Sequence, residues 1–214
     1  MAFAGRSVPP GRSGVKRVNK DILICGVGGQ GTVLASKLIA ASAMEEGNPV
    51  HSAETIGMAQ RGGPVTSHVR VGEGARSPLI PFGGADLILA FEPAEAVRNL
   101  KYLRQGGTVV VNTAAVMPVT EALRASGYDG QQMLAYLGRK CECVPVDGEA
   151  ACRELGSGKF LNVLMLGVAA GSGRLGISLD TLRRVMERSV PQKYLEINRR
   201  AFLAGVKIGE EKRQ

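Results

Sequence analysis

Two hydrophobic periodicities divide the chain. Short apolar runs at residues 21–25, 86–91 and 108–112 carry almost no polar interruption, the pattern of strands buried on both faces. Residues 65–71 alternate instead. Val65, Ser67, Val69 and Val71 fall on one face of a strand, and Thr66, His68 and Arg70 on the other. Residues 50–53 and 141–146 carry weaker strand signals. Stretches of helical length lie between: 32–46, stopped by Gly47-Asn48-Pro49; 92–103, with Pro93 in the first turn; 130–139; 160–172; a helix capped by Ser178 and running through Arg188; and 194–207 after Pro191. The 32–46 segment is apolar nearly all round, with Lys37 its only charge before Glu45, so it is predicted to be buried. Buried strands alternating with helices predict an α/β fold, an open and mostly parallel Rossmann-like sheet with a helical C-terminal part. The alternating 65–71 strand is predicted to be a local antiparallel addition, and Gly106-Gly107 a turn into the strand at 108–112.

Composition narrows this picture. The 214 residues are 44% hydrophobic, enough for one α/β domain with extensions, and no run reaches the length of a membrane span. The formal net charge is +8, but Arg6, Arg12, Lys16, Arg17 and Lys20 all precede the first acid, Asp21. The folded part is thus closer to neutral, and the charge is no argument for nucleic acid. With no tryptophan and 4% aromatics, a base-stacking platform is unsupported as well. Residues 1–19 read as a disordered basic tail without the apolar segment of a secretory signal, and 208–214 as a charged tail. Cys25, Cys141, Cys143 and Cys152 form no zinc or iron–sulfur ligand run. They read as reduced structural thiols in a cytoplasmic protein.

Two stretches carry candidate chemistry. Gly26-Val27-Gly28-Gly29-Gln30-Gly31 joins the first strand to the first helix with the G-x-G-x-x-G spacing. In such a turn Gly26 would permit the tight exit from the strand, Gly28 a close anion, and Gly31 close helix–sheet packing. The helix N-terminus would add free N–H groups. The same glycines could equally serve packing alone. The second stretch runs from Glu54 through Met58-Ala59-Gln60-Arg61-Gly62-Gly63 to Ser67-His68-Val69-Arg70.

Those two stretches, with residues 85–93, Asn162-Val163-Leu164-Met165-Leu166-Gly167 and 190–198, resemble the gamma portion of 2-oxoacid:ferredoxin oxidoreductases. Within that family the likeness is to the small (beta) subunits that serve indolepyruvate, and it covers nearly all of 20–207. That span is accordingly read as a pyruvate/ketoisovalerate oxidoreductase gamma-type domain. Many relatives carry a polar residue where this chain has Ile56. The resemblance implies a large (alpha) subunit that holds thiamine diphosphate, its Mg and the iron–sulfur clusters. The implied reaction is oxidative decarboxylation of a 2-oxo acid, with coenzyme A taking the acyl group and ferredoxin the electrons. This chain would bind no cofactor alone. Coenzyme A is the candidate occupant of the glycine loop at Gly26, Gly28, Gly29, Gln30 and Gly31. Glu54, Met58, Gln60, Arg61, Gly62, Gly63, His68 and Arg70 are candidate substrate or subunit contacts, with no catalytic residue or metal ligand expected. Bland readings stand beside these: Arg61 as a solvated loop charge, His68 as a hydrogen-bonded strand residue, and Glu92 as a helix cap. Two other classes remain open at this level. One is a stand-alone NAD(P)-binding oxidoreductase, in which Glu54 would take the ribose. The other is a non-catalytic nucleotide-binding regulatory module.

Overall fold

The computed structural model describes residues 17–56, 62–116, 128–156 and 158–213. Strand β1 (Lys20–Val27) leads into helix α1 (Thr32–Glu45), followed by β2 (Val50–Ile56), β3 (Pro64–Val71) and β4 (Ala85–Ala90). Helix α2 (Pro93–Asn99) and a single 3-10 turn (Leu100–Tyr102) lead to β5 (Leu103–Asn112). Then come α3 (Gly130–Lys140), β6 (Glu142–Val146) and α4 (Gly148–Glu154), and last α5 (Leu161–Gly171), α6 (Leu179–Ser189) and α7 (Leu195–Glu211). The six strands form one sheet in the order β2-β3-β1-β4-β5-β6. β1, β4, β5 and β6 pair in parallel, and β3 runs antiparallel between β1 and β2.

The alternating strand is antiparallel as predicted, and it is an interior strand of the sheet, with β2 outside it. Its Val-Ser-Val-Val face covers α1, while His68 is buried on the opposite face, so both sides of β3 lie in the interior. One face of the sheet, through Ile22, Ile24, Leu87, Leu89 and Val110, packs on α1, α5, α6 and α7. The other, through Leu23, Cys25, Ile88, Val109 and Val111, packs on α2, α3 and Ile80. Burying α1 on this core explains its nearly unbroken apolar sequence.

The C-terminal helices meet at unusually close range. A Cβ built on Gly167 would lie 2.3 Å from the Phe202 carbonyl oxygen, and one on Gly205 2.0 Å from that of Leu164. Gly171 and Gly209 repeat the arrangement one turn further along each helix. Two matched glycine ridges thus let α5 and α7 touch backbone to backbone, which no larger side chain permits.

Other boundaries differ from the sequence reading. Gly106-Gly107 lies within β5, where the register with β4 slips between Ala85↔Leu103 and Leu87↔Thr108 and Gly106 takes φ 72°. These glycines make an irregularity inside a strand, which the same residue types would also signal. The helix after Pro93 correspondingly stops at Asn99. Helix α4, absent from the sequence reading, is capped by Asp147, whose side chain accepts from the Ala150 N–H at 2.9 Å. At the ends, Val18 is buried and its N–H donates to Asn48 Oδ1 at 2.9 Å, while α7 continues through Glu211 with Ile208 against the core. Residues 17–19 and 208–211 therefore belong to the folded body. Among the described residues no helix is long and apolar enough to cross a membrane.

Candidate functional site

The glycine stretch sits at the carboxyl end of β1, where open α/β sheets present ligand sites. Its glycines have other duties than the sequence pattern assigns. Gly26 is still in the strand, opposite Val65, and a Cβ there would lie 2.7 Å from Gln30 Oε1 and 3.0 Å from Phe91 Cβ. The Gly28 N–H donates to the Gly63 carbonyl at 2.8 Å, and Gly62 donates back to Gly28 at 3.4 Å. Gly28 is thus tied to the β3 entry, and its N–H is not offered to an anion. The left-handed backbone falls at Gly29 (φ 105°) and Gly31 (φ 82°), the two positions where the turn requires glycine.

Gln30 locks this turn. Its backbone N–H donates to the Val27 carbonyl at 3.1 Å, its Oε1 accepts from the Val27 N–H at 2.7 Å, and its Nε2 donates to the Phe91 carbonyl at 3.1 Å. The Phe91 carbonyl also accepts from Asn112 Nδ2 at 3.2 Å, and Asn112 Oδ1 accepts from the Gly148 N–H at 3.1 Å. Two amide side chains therefore tie the ends of β1, β4 and β5 to the start of α4. Asn162, in the first turn of α5, packs so closely on Gly31 that a Cβ there would meet its Nδ2 at 2.5 Å. The sequence pattern assigns no site role to Asn112, Gly148 or Asn162. The available signal was Asn112 itself, a polar amide closing an apolar run, since a buried amide requires partners.

Helix α1 opens from this locked turn with Gly31 as N-cap, no side-chain cap and no acidic residue in its first turn. Its leading N–H groups and partial positive charge are accordingly available to a negatively charged group. On the Gly29 side of the turn a Cβ on Gly29 would meet nothing among the described residues within 4 Å, which leaves room there for an anion such as a phosphate. Cys25, just before the glycines, is fully buried, and burial, with Glu95 and Glu92 adding, pushes its thiol well above the usual range. Glu92 is buried and caps α2, accepting from the Glu95 N–H at 2.9 Å and from the Tyr128 hydroxyl. Burial raises its carboxyl above the usual carboxylate value. The helix-cap reading of Glu92 therefore accounts for its position.

The remaining candidates scatter. Gly62 and Gly63 reach the turn through Gly28, whereas Met58, Gln60 and Arg61 lie outside the described residues. Glu54 is exposed on the edge strand β2 and accepts from the Ser36 hydroxyl at 3.4 Å. His68 is buried, with Nδ1 accepting from the Ile80 N–H at 3.2 Å and its ring edge-on to Tyr102. It is therefore an internal hydrogen-bonded residue of the sheet. Arg70 forms a two-point ion pair with Asp21, at 2.8 and 3.0 Å, and donates to the carbonyls of Ser77 and Leu79. Asp21 is the second residue of β1, so Arg70 lies about 20 Å from the glycine turn along the strand, at roughly 3.3 Å per residue. Of the Thr66/His68/Arg70 face, Thr66 lies opposite Cys25 beside the glycine turn, whereas His68 and Arg70 lie progressively further from it, opposite Leu23 and Asp21. Cys141 caps α3 and only Cys143 lies in β6, its thiol pushed up to about 11 by burial, with Cys141 adding. No group of three or more metal-ligating side chains occurs among the described residues.

Fold and site together define an α/β protein with a locked glycine turn at the carboxyl edge of its sheet. The chain belongs to the pyruvate ferredoxin/flavodoxin oxidoreductase family, which it matches over residues 21–208. It is 34% identical to the indolepyruvate oxidoreductase subunit IorB of Thermococcus kodakarensis, across 89% of this chain and 96% of that one. Identity to the IorB subunit of Archaeoglobus fulgidus is 35%, across 86% and 92%. Among solved structures, the gamma subunit of a keto/oxoacid ferredoxin oxidoreductase from Geobacter sulfurreducens shares the fold with a TM-score of 0.67 at 21% identity, covering 90% of this chain and 99% of that chain. A 2-oxoglutarate:ferredoxin oxidoreductase from Magnetococcus marinus, solved with 2-oxoglutarate, coenzyme A and succinyl-CoA bound, gives 0.69 at 20% identity. The match covers 92% of this chain and 32% of that longer one. Within the family the chain is of the small-subunit type.

Proposed function

We propose that this chain is the small subunit of an indolepyruvate-type (aryl 2-oxo acid) ferredoxin oxidoreductase and contributes a coenzyme A phosphate contact at residues 29–32. The observation that carries the reading is the uncapped start of α1 behind a left-handed Gly29/Gly31 turn, held in place by Gln30 and Asn162. It gains support from the IorB relatives, whose lengths this chain nearly matches, and from the fold shared with an enzyme that binds coenzyme A. When bound on the large subunit, thiamine diphosphate with Mg would supply the carbanion-stabilising chemistry and iron–sulfur clusters the path for electrons to ferredoxin. The part of this chain is to bind and orient. The first-turn N–H groups of α1 meet phosphate oxygens, and the Gln30 and Asn112 clamps keep those groups fixed relative to the strand ends.

A stand-alone nicotinamide enzyme is the weaker reading. Its ribose-binding acid would end a strand directly beside the first. Here β3 separates β2 from β1, which puts Glu54 two strand spacings, about 10 Å, from β1.

The test uses the complex reconstituted with its large subunit, assayed for 2-oxo-acid- and coenzyme-A-dependent reduction of a viologen dye. The isolated chain is expected to show none of this activity. Gly29→Asp and Gly29→Asn distort the turn alike and differ in charge. The Asp variant should raise the KM for coenzyme A about fivefold more than the Asn variant, the effect of about 1 kcal/mol of repulsion at a helix N-terminus. Equal KM values for the two variants would remove the anion from this turn.

A further inference from the structure

Residues 78–84 are the second part of the connection from β3 to β4 at the amino end of the sheet, opposite the glycine turn. They form no regular element, yet they are heavily anchored. Ile80 is buried and its N–H donates to His68 Nδ1; Arg70 donates to the carbonyls of Ser77 and Leu79; Gly83 donates to the Lys101 carbonyl at 3.0 Å. His68 and Arg70 of β3 are thus spent on holding this loop. What the loop displays is apolar: Leu79 is 53% and Phe82 68% exposed. Phe82 leans on Tyr102 with ring centres 4.9 Å apart, and Lys101 Nζ sits 4.9 Å above the Phe82 ring. Apolar side chains held outward on a fixed loop bury no area of their own, and they lose little entropy when a partner covers them.

Charge selects the partner. The carboxylates nearby are already matched: Asp21 with Arg70, Asp86 with Lys20 and Arg104, Glu73 with Arg17. Lys101, over the Phe82 ring, and the exposed Arg76 two residues before Pro78 have no ion-pair partner among the described residues, so the loop and its neighbour carry unmatched positive charge. A second copy meeting this patch across a two-fold axis would set those cations against each other. A protein surface with an apolar pocket bordered by carboxylates would not. We propose that the 78–84 loop, with Leu79 and Phe82 as anchors and Lys101 and Arg76 as rim, docks this chain onto its large subunit through such a pocket. The inference rests on the subunit reading above and adds a second contact, remote from the glycine turn, that holds the assembly without touching coenzyme A.

The test measures binding of the full chain to the purified large subunit at about 0.1 and 0.5 M salt, with the self-association of each chain measured alongside. Phe82→Asp and Leu79→Asp should each weaken binding about tenfold or more, as loss of a central anchor does. Lys101→Glu should weaken it severalfold at low salt and flatten the salt dependence. Leu203→Asp, an exposed apolar position on α7, should bind as wild type. At saturating large subunit, the docking variants should keep the wild-type KM for coenzyme A, and their melting temperatures should match that of wild type. Wild-type affinity in both Phe82→Asp and Leu79→Asp overturns the proposal. A dimer of the wild-type chain that Phe82→Asp dissolves overturns it in favour of a second copy. A wild-type chain that fails to bind the large subunit at all overturns the subunit reading along with it, whereas failure confined to the variants leaves that reading standing.

Discussion

His68 shows how a single side chain changes meaning once its surroundings are fixed. In the sequence it is a titratable group on a polar strand face. In the structure it is a buried acceptor for the Ile80 N–H, and burial lowers its pKa below the ordinary 6.5. The unfolded chain therefore takes up a proton at a pH where the folded chain does not. Folding stability contributed by this neutral histidine is complete above about pH 6.5 and is lost as pH falls toward the lower folded value, by at most about 1.4 kcal/mol per pH unit. His68→Gln, whose amide oxygen can still accept from Ile80, should remove this part of the pH dependence. Urea denaturation of both proteins at pH 7.5 and 5.5 checks it: the wild type should lose more stability between the two than the variant. The other histidine, His51, is exposed on β2. Arg70 makes the same point, since it reads as a candidate contact and is used to pair Asp21 and hold the carbonyls of Ser77 and Leu79.

Among the elements, helix positions were legible from periodicity and capping, and contacts between helices were not. Ser178 announces α6, and the stop at Gly47-Asn48-Pro49 ends α1 within one residue of its observed end. The Gly167/Gly171 and Gly205/Gly209 spacing is visible in the sequence, but spacing alone does not say that the two ridges face each other. Because they do, Gly205→Ala would force a methyl group to 2.0 Å from the Leu164 carbonyl oxygen. The helices must then separate, at a cost of about 1–3 kcal/mol or more. Gly138 is an opposite control. It lies in α3, exposed, with nothing within 4 Å of its Cβ position. Gly138→Ala should stabilise by about 0.5–1 kcal/mol through helix propensity alone. Chemical denaturation of the two variants should give shifts of opposite sign, and a neutral Gly205→Ala would show that α5 and α7 do not meet at this range.

For the molecule as a whole, the folded body extends past the reach of the strand pattern. Val18 buries its side chain and hydrogen-bonds Asn48, so a chain beginning at Lys20 should lose about 2 kcal/mol or more relative to one beginning at Arg17. Thermal melting of the two truncated chains measures the difference. Equal melting temperatures would place Val18 outside the cooperative unit. The two ends of the sheet also differ in kind: the carboxyl end carries the locked glycine turn, the amino end the anchored apolar loop.

Local patterns determined the α/β class, because buried strands and capped helices leave their periods in the chain itself. The glycine spacing likewise placed the turn at the end of β1. The tertiary structure alone decided which N–H groups that turn keeps. Gly28 is occupied by Gly63 across a ladder that exists only because β3 lies between β1 and β2. Gly31 is pinned by Asn162 from a helix 130 residues away in sequence. Strand order and helix contacts depend on which surfaces are buried together, a property of the packed whole that no window of sequence contains.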